Sequence, residues 1–290
     1  MSNLVVTSFI FLLLAGCASS QDVSDLELVP FTRLPEQLKE CSGMVYLGDG
    51  LYLGNNDSGN PPDLILFTLD HGDDIKRIRI KGTDNVDWEE LATDIEFVYI
   101  GDTGNNNGSR KELSVYKVKK AEILDGLQAN AERIRFTYPN QKNPVKGKKH
   151  NFDCEAMICI GDSLYVFTKN RGNGNTDVYS FPKLAGSYEA RFIGSFAAGG
   201  LITGADFRML DTAGELALVG YMVKDKGYHP FILHFKNVAV PGFFQSIPSR
   251  YIFSGKLQTE TILFTEGNTV FISNEEEHGD QGYIYRVNLD

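Results

Sequence analysis

Five segments of the chain repeat one pattern, and this repetition constrains the fold more than any other feature. Each segment has a small or acidic opening, an apolar strand, a turn, and an aromatic-rich strand that ends in polar residues. The segments are ECSGMVYLGDGLYLGNND from residue 40, DWEELATDIEFVYIGDTG from 87, DCEAMICIGDSLYVFTKN from 153, TGADFRMLDTAGELALVGYM from 203 and TETILFTEGNTVFISNEE from 259. Aromatic and β-branched residues favour strands, and Gly, Asn and Asp favour the turns between them.

The residues between these segments predict further strands. Each repeat continues with a third strand, and the first four repeats also continue with a fourth. A four-stranded unit recurring about every 50 residues is typical of a β-propeller blade. The fifth repeat has three strands, and LELVPFTRLP at 26–35 can supply its missing outer strand. We therefore predict an all-β, five-bladed β-propeller of four-stranded blades over 26–290, with the ring closed by the N-terminal strand; six blades is the alternative.

The N-terminus predicts export. Residues 4–16 form an apolar run that fits the h-region of a signal peptide and is too short to span a bilayer as a helix. The following Leu14-Ala15-Gly16-Cys17 resembles the lipobox of bacterial lipoproteins. We expect a signal peptide at 1–16, a lipidated Cys17, and a linker over 17–25; the alternative is an ordinary secretory signal. Ala18-Ser19 after the cysteine, with no Asp there, resembles the Gram-negative lipoproteins of the outer membrane, which implies that membrane, on either its periplasmic or its surface face.

Charge narrows the choice of partners. The chain has 38 Asp and Glu residues against 28 Lys and Arg, a net charge of −10. This balance argues against nucleic acid and against direct electrostatic binding to an anionic membrane. We expect a monomer that contacts the membrane only through its lipid anchor and binds a small molecule, a glycan or a peptide. The remaining cysteines, Cys41, Cys154 and Cys159, are expected to be free thiols.

Two turns carry the D-[ST]-G motif of aspartic proteases, at Asp57-Ser58-Gly59 and Asp102-Thr103-Gly104. Both follow the second strand of a repeat, where the third and fifth repeats have unrelated polar turns. Their position in the repeat therefore explains the motif, and the protease interpretation is rejected. Asp, Asn and Gly suit such turns because they accept positive φ and bond to nearby backbone.

The same turns predict a ligand site. In a propeller blade the first strand lines the central channel and the second strand runs back beside it. The start of the first strand and the end of the second therefore meet at one channel mouth. The predicted ligand-binding residues at this mouth are Asn55, Asp57, Asp102, Lys169, Asn170, Asn274 and Glu275. Lys169 and Arg171 could bind an anionic group of the ligand, and the alternative for both is a solvated loop.

Acidic residues near the starts of the first strands are candidate metal ligands. They are Glu89, Glu155, Glu260 and, in the fourth repeat, Asp206. Calcium is the candidate cofactor, because it takes six to eight oxygen ligands from carboxylates, amides, backbone carbonyls and water. No other cofactor is predicted. The alternative is that each Glu only caps backbone amides of the neighbouring blade.

Enzyme status stays open. No nucleophile motif or Ser/His/Asp spacing supports covalent catalysis. Glu155 and His150 are weak candidates for activating a water molecule. We expect ligand or cation binding at an acidic channel mouth, and the alternative is a calcium-assisted hydrolase of an ester, lactone or phosphoester.

Several short motifs resemble a broad family of exported bacterial β-propeller lipoproteins. They are NDSGN at 56–60, DWEEL at 87–91, GDTGNN at 101–106, CEAM at 154–157, TGAD at 203–206 and TET at 259–261. The likeness covers roughly residues 40–290. The family in turn is more distantly similar to phytase-like and esterase-like propellers. It implies the propeller fold and carries over no catalytic residue.

Overall fold

The computed structural model describes residues 21–70, 75–144, 146–147, 149–211, 213–276 and 282–289, with only the backbone described for 21–25. The predicted lipidation site, Cys17, lies outside these residues. None of the helices in the described part is both long and apolar enough to cross a membrane.

Strands are the main secondary structure of the described residues. Two strands precede the first repeat: β1 (Gln21–Leu26) and β2 (Pro30–Arg33). The first repeat contains β3 (Cys41–Gly48), β4 (Leu51–Asn56), β5 (Asp63–Thr68) and β6 (Lys76–Lys81). The second contains β7 (Trp88–Thr93), β8 (Phe97–Asp102), β9 (Glu112–Lys119) and, after the short helix α1 (Lys120–Asp125), β10 (Gln128–Thr137).

The last three repeats have the same order of elements. The third contains β11 (Cys154–Ile160), β12 (Ser163–Thr168), β13 (Thr176–Pro182), the short β14 (Gly186–Glu189) and β15 (Arg191–Phe196). The fourth contains β16 (Leu201–Leu210), β17 (Ala213–Lys224), β18 (Gly227–Val238) and β19 (Ser249–Phe253). The fifth contains β20 (Thr259–Phe264), β21 (Thr269–Asn274) and β22 (Tyr283–Asn288).

Within each repeat the consecutive strands pair antiparallel, apart from the short β14, which gives an all-β protein of four-stranded sheets consistent with a β-propeller. The first strands contact one another in the order β3, β7, β11, β16, β20 and back to β3. They therefore surround a central channel, as the repeat pattern predicts.

The hydrophobic core lies between neighbouring sheets. Five clusters of buried side chains each join two consecutive repeats, and the last joins the fifth repeat to the first. Trp88 illustrates the packing, because it is fully buried between the first and second sheets beside Tyr116. A single sheet cannot bury its apolar faces alone, and here each sheet is covered by its two neighbours.

The N-terminal strands attach to two different sheets. Strand β2 pairs antiparallel with β22, as the ring-closure prediction requires. Strand β1 pairs parallel with β19, at the outer edge of the fourth sheet. The prediction of a linker over 17–25 did not include this strand. It extends the fourth sheet to five strands and covers an edge that would otherwise be open.

The outer strands also pair between sheets. Strand β10 lies parallel to β6 over three residues and parallel to β14 over four. The first three repeats are therefore tied at the circumference as well as at the channel. The segment AEILDGLQ at 121–128 favours a short helix by its sequence, and α1 covers its first five residues together with Lys120.

Candidate functional site

A polar pocket opens at the end of the channel where the first strands begin. We call this end the acidic mouth. The pocket has a volume of about 230 Å³. Its lining residues are Ser42, Asp57, Glu89, Asn106, Glu155, Lys169, Arg171, Tyr221, Tyr228, Gln258, Glu260 and Glu275. The predicted residues Asp57, Glu89, Glu155, Lys169, Glu260 and Glu275 are thus brought together from four of the five repeats.

A shared irregularity of the backbone aims side chains into this pocket. All five first strands shift register against their second strands at the same place, as in a β-bulge. The residues within the shift include Ser42, Glu89, Glu155 and Glu260, with Thr203 in the fourth repeat. A bulge leaves an extra residue unpaired in the ladder and redirects its side chain. In the fourth repeat the redirected side chain is a hydroxyl, which donates to the carbonyl oxygen of Thr259 at 2.6 Å.

Glu89 has no ion-pair partner among the described residues. Its side chain is buried, and Oε2 accepts a hydrogen bond from Ser42 Oγ at 3.2 Å. Its other oxygen, Oε1, has no hydrogen-bond partner among the described residues. Carboxylate oxygens of Asp57, Asp87 and Glu89 lie within 4.8 Å of one another. This group has the chemistry to hold a metal ion.

Gly104 leaves room for this group. A Cβ atom at that position would overlap Glu89 Oε1 and the carboxyl group of Asp87. The glycine of the GDTGNN turn is therefore required by the close approach of two carboxylates, and this function is separate from the resemblance to a protease motif.

The carboxyl groups resist ionisation. Burial, followed by the charges of Asp57 and Asp153, raises the pKa of Asp87 to about 6. Burial also raises the pKa of Glu89 well above its usual range, and the charges of Glu155, Asp57 and Asp87 add to the effect. Burial likewise raises the pKa of Asp57. Like charges held together out of water disfavour the ionised form unless a cation compensates them.

A second acidic group, Glu89, Asp153 and Glu155, also has oxygens within 4.8 Å of one another, but it carries its own cations. Lys169 Nζ forms an ion pair with Glu155 Oε2. Arg171 Nε lies 3.0 Å from Asp153 Oδ2, and an Arg171 terminal nitrogen lies 3.4 Å from Glu155 Oε1. These pairs neutralise two of the three carboxylates.

Lys169 is not on a solvated loop. Its side chain is 3% exposed, and its Nζ lies 5.1 Å from the ring centroid of Tyr221. The charge of Glu155 raises the pKa of Lys169 well above its usual range despite burial. The solvated-loop alternative for Lys169 is therefore wrong: this lysine is a buried counter-ion of the mouth.

The remaining acids of the pocket are linked by an amide. Gln258 Nε2 donates to Glu260 at 2.7 Å and to Glu275 at 2.8 Å. Burial, then the charge of Glu275, raises the pKa of Glu260 well above its usual range. Tyr221 and Tyr228 complete this side of the pocket, which can offer hydroxyl groups and ring faces to an organic ligand.

Three predicted ligand-binding residues lie in the sheets and do not line the pocket. Asn55 Nδ2 donates to the Trp88 carbonyl oxygen at 3.4 Å, which ties the first repeat to the second. Asp102 accepts from the Asp87 N–H at 3.1 Å and from Arg110 at 2.9 Å. Asn274 accepts from the Tyr283 N–H at 2.8 Å. These side chains hold the turns that carry the mouth.

Two further predictions fall beside the pocket. Asn170 is fully buried, and its side-chain atoms have no hydrogen-bond partner among the described residues. His150 is buried: Nδ1 accepts from the Phe152 N–H at 3.2 Å, and Nε2 lies 3.4 Å from the Asn106 carbonyl oxygen. The structure places His150 behind Asn106, which lines the pocket, and gives it no direct access.

Asp206 lies at the other end of the channel, so the structure corrects its assignment to the same mouth. It lines a separate pocket of about 150 Å³ with Ala92, Cys159 and Phe264. Its carboxylate accepts from the N–H groups of Phe207 at 2.8 Å and Phe264 at 2.7 Å. Residues i and i+2 share a strand face, but each pair of residues also advances about 7 Å along the strand. Asp206 therefore points into the channel too far from the mouth to join the other acids.

The sequence contained a signal for two residues that the predictions omitted. Asp87 and Asp153 stand two positions before Glu89 and Glu155, in the tripeptides DWE and DCE. Residues at i and i+2 point to one face of a strand, so each tripeptide delivers paired carboxylates. Tyr221, Tyr228 and Gln258 carried no comparable signal, because only the fold brings them to the pocket.

Solved structures with a similar fold include carbohydrate-active enzymes. The catalytic domain of a GH62 α-L-arabinofuranosidase from Coprinopsis cinerea is 14% identical, with a TM-score of 0.50 over 92% of this chain and 96% of that one. An exo-β-1,3-galactanase from Clostridium thermocellum is 10% identical, with a TM-score of 0.56 over 91% of this chain and 62% of that one. Both are β-propeller proteins, so the likeness supports the fold.

At these identities the likeness concerns the fold alone. No family model matches the chain. No curated protein matches it either. The resemblance to exported bacterial propellers thus stays an expectation, and the site has to be interpreted from its own geometry.

Proposed function

We propose that this chain is a five-bladed β-propeller of the bacterial cell envelope that binds calcium at its acidic mouth and uses the ion to hold a polar ligand. The observation that carries the proposal is the carboxylate of Glu89. It is buried, its Oε1 has no hydrogen-bond partner among the described residues, and it lies within 4.8 Å of carboxylate oxygens of Asp57 and Asp87. Burial raises the pKa of all three groups, like charges within the cluster raise those of Asp87 and Glu89 further, and an ion there would stabilise the ionised forms.

The charges favour this group over its neighbour. Asp153 and Glu155 already pair with Arg171 and Lys169, whereas Asp57, Asp87 and Glu89 form no ion pair among the described residues. We therefore assign the candidate ligands as Asp57, Asp87 and Glu89. Glu155 and Glu260, which the sequence analysis proposed as ligands, would instead shape the ligand side of the pocket.

Calcium suits an all-oxygen site assembled from several repeats. It accepts carboxylates and water at variable geometry, and an ion that keeps some water can exchange it for ligand oxygens. The Ser42 hydroxyl, 3.2 Å from Glu89, can add a neutral oxygen at the edge of the site. A ligand rich in hydroxyl groups, such as a small glycan, would meet both the ion and the tyrosines of the pocket.

Thermal unfolding tests the proposal. Saturating calcium at about 100 times its dissociation constant should stabilise the protein by about 2.7 kcal/mol, which raises the Tm by roughly 5 °C or more. Glu89→Gln should abolish this rise. The matched control is Glu96→Gln, which changes an exposed carboxylate on the turn between β7 and β8 and should keep the full rise. Absence of any rise in the wild-type protein would refute the cation site.

A second candidate function is a calcium-assisted hydrolase of an ester, lactone or phosphoester. The observation that favours it is Asp87, whose pKa of about 6 is suited to proton transfer near neutral pH beside a cation. A hydrolase should cleave at least one substrate in a panel of these classes, extended to glycosides because of the related folds. Asp87→Asn should lower that rate about 100-fold or more, while equal rates in both proteins would remove the enzyme hypothesis.

The envelope location rests on Cys17, through the lipobox resemblance. Lipidation there would hold the propeller at the membrane, with the outer membrane favoured. Nothing in the acidic mouth requires a second subunit, and a monomer completes the site from one chain.

A further inference from the structure

Exposed large apolar side chains are concentrated at the end of the channel opposite the acidic mouth. We call this the apolar end. In the described part of the chain it carries Tyr46, Ile95, Leu124, Leu127, Leu184, Met209, Leu210 and Ile247, each at least 42% exposed. Only Val86 and Val223 are comparable at the acidic mouth. The others, Val29, Phe31 and Phe192, lie on the outer wall.

The fold explains why these residues share one end. Ile95, Met209 and Leu210 lie at or next to the turns that join first to second strands. Leu124, Leu127, Leu184 and Ile247 lie in the connections from third strands to outer strands. In an antiparallel four-stranded unit both kinds of connection lie at the same end. The apolar end is therefore a single surface of the molecule.

Contacts bring part of this set into one patch. Lys183 Nζ lies 2.9 Å from Asp94 Oδ2, which joins the turn of Leu184 to the turn of Ile95. The Lys120 N–H donates to the Glu96 carbonyl oxygen at 2.9 Å, which places α1 beside the same turn. Exposed apolar side chains gathered at one end of a protein mark an interaction surface more often than scattered ones do.

The N-terminal chain enters the fold from this end. Strand β1 is parallel to β19, with Gln21 opposite Ser249. Strand β19 in turn begins after the connection that carries the exposed Ile247 and runs towards the acidic mouth. Cys17 stands four residues before Gln21, a distance of at most about 14 Å for an extended chain.

These observations identify what covers the apolar end. We infer that it rests on the lipid bilayer that anchors acylated Cys17, so that the acidic mouth faces away from the membrane. The inference rests on the lipid anchor of the proposed function and is independent of the cation site. The anchor holds the chain at the membrane, and the apolar side chains supply the second contact that stable, oriented binding needs.

The contact is apolar rather than electrostatic. Exposed carboxylates Asp49, Glu96, Asp162 and Asp211 lie on the turns that join first to second strands at this end. Of the lysines there, Lys183 is paired with Asp94 and Lys119 is exposed. Anionic lipid would not be attracted to this surface, in contrast to the basic faces of many peripheral proteins. Binding should therefore be insensitive to salt and should not improve when phosphatidylglycerol is added to phosphatidylcholine vesicles.

The orientation can be measured with added tryptophans. Trp88 is the only tryptophan of the chain and is fully buried, so it gives a constant background. The full lipidated protein carrying Ile95→Trp or Met209→Trp is incorporated into phosphatidylcholine vesicles with acyl chains brominated near the headgroup. Val86→Trp and Val223→Trp are the matched controls at the acidic mouth. All four positions are exposed, so the substitutions should not affect folding.

Bromolipid should quench the two apolar-end tryptophans at least twofold more than the two controls. Equal quenching at both ends, or stronger quenching of the controls, would overturn the inference. If mass spectrometry of the membrane-purified protein finds no acyl chains on Cys17, the lipid anchor fails, and the inference fails with it. The calcium-dependent rise in Tm, measured on the same tryptophan variants, reports separately on the cation site.

Discussion

The two ends of the channel differ in whether their buried carboxylates have hydrogen-bond donors. At the acidic mouth Glu89 keeps an oxygen without a hydrogen-bond partner among the described residues and faces other carboxylates. Deeper in the channel, the next residue, Glu90, accepts from the N–H groups of Leu91 at 2.9 Å and Ala205 at 3.3 Å. At the far end Asp206 accepts from two backbone N–H groups.

This contrast separates structural acids from candidate functional ones. Glu90 and Asp206 each accept from one backbone N–H of their own strand and one of another first strand, which is the kind of capping that the alternative proposed for Glu89, Glu155 and Glu260. Glu89 does not, although it stands next to Glu90 in sequence. A buried group that its surroundings leave unsatisfied is a candidate for ligand binding, because proteins retain such costly arrangements where function requires them.

The largest effect should come from Lys169, the buried cation of the mouth. Lys169→Met leaves Glu155 buried with Arg171 as its remaining cation. Removing one partner of a buried ion pair costs about 3–5 kcal/mol, and we expect a loss of this size in urea unfolding. Adding Glu155→Gln should recover most of it. Full stability of the single variant would show that the pair is not buried as described.

The next effect is the dependence of stability on pH. Burial raises the pKa of Asp87 and of Asp206 to about 6, from a usual value of 3.8. The folded state therefore binds more protons than the unfolded state between about pH 4 and pH 6, and stability falls as the pH rises through that range. In EDTA these two groups alone should make the free energy of unfolding about 1–3 kcal/mol higher at pH 5 than at pH 7.5.

Calcium separates the two ends in that experiment. At pH 7.5 calcium should restore the part of the stability that is lost through ionisation of Asp87, because the ion stabilises the ionised form. Calcium should not change the part of the pH dependence that arises from Asp206. The substitution Asp206→Asn should remove that part. A pH dependence that calcium leaves unchanged would contradict the assignment of Asp87 as a ligand.

The smallest effect is the sharpest comparison, because it concerns adjacent residues. In EDTA at pH 7.5, Glu89→Gln should stabilise the protein by about 1 kcal/mol, since a neutral amide needs neither a buried charge nor the uptake of a proton. Glu90→Gln should destabilise it by about 1–2 kcal/mol, since the amide disturbs the bonds to Leu91 and Ala205. Urea unfolding of both variants checks the signs, and equal signs would mean that the two acids have the same role.

Much of the architecture could be predicted from local patterns. The five repeats, the strand pairing within each, the closing strand near residues 30–33 and the convergence of Glu89, Glu155 and Glu260 all follow from repeat positions. Strand β1 could not be predicted, because QDVSDL has no strand pattern of its own and gains its partner only from β19. The error over Asp206 has a similar cause: repeat alignment gives the face of a strand but not the depth at which a side chain meets the channel.

The charge balance of the acidic mouth could not be predicted from the repeats either. Lys169 and Arg171 read as loop residues, and their roles depend on Asp153 and Glu155 being placed against them by the third sheet. The amino-acid sequence by itself determined which residues form strands and which acids begin them, because side-chain alternation and turn chemistry act over a few neighbouring residues. Only the tertiary structure decided which of those acids are neutralised, capped or left exposed to one another, because burial and charge pairing arise between segments that are distant in the chain.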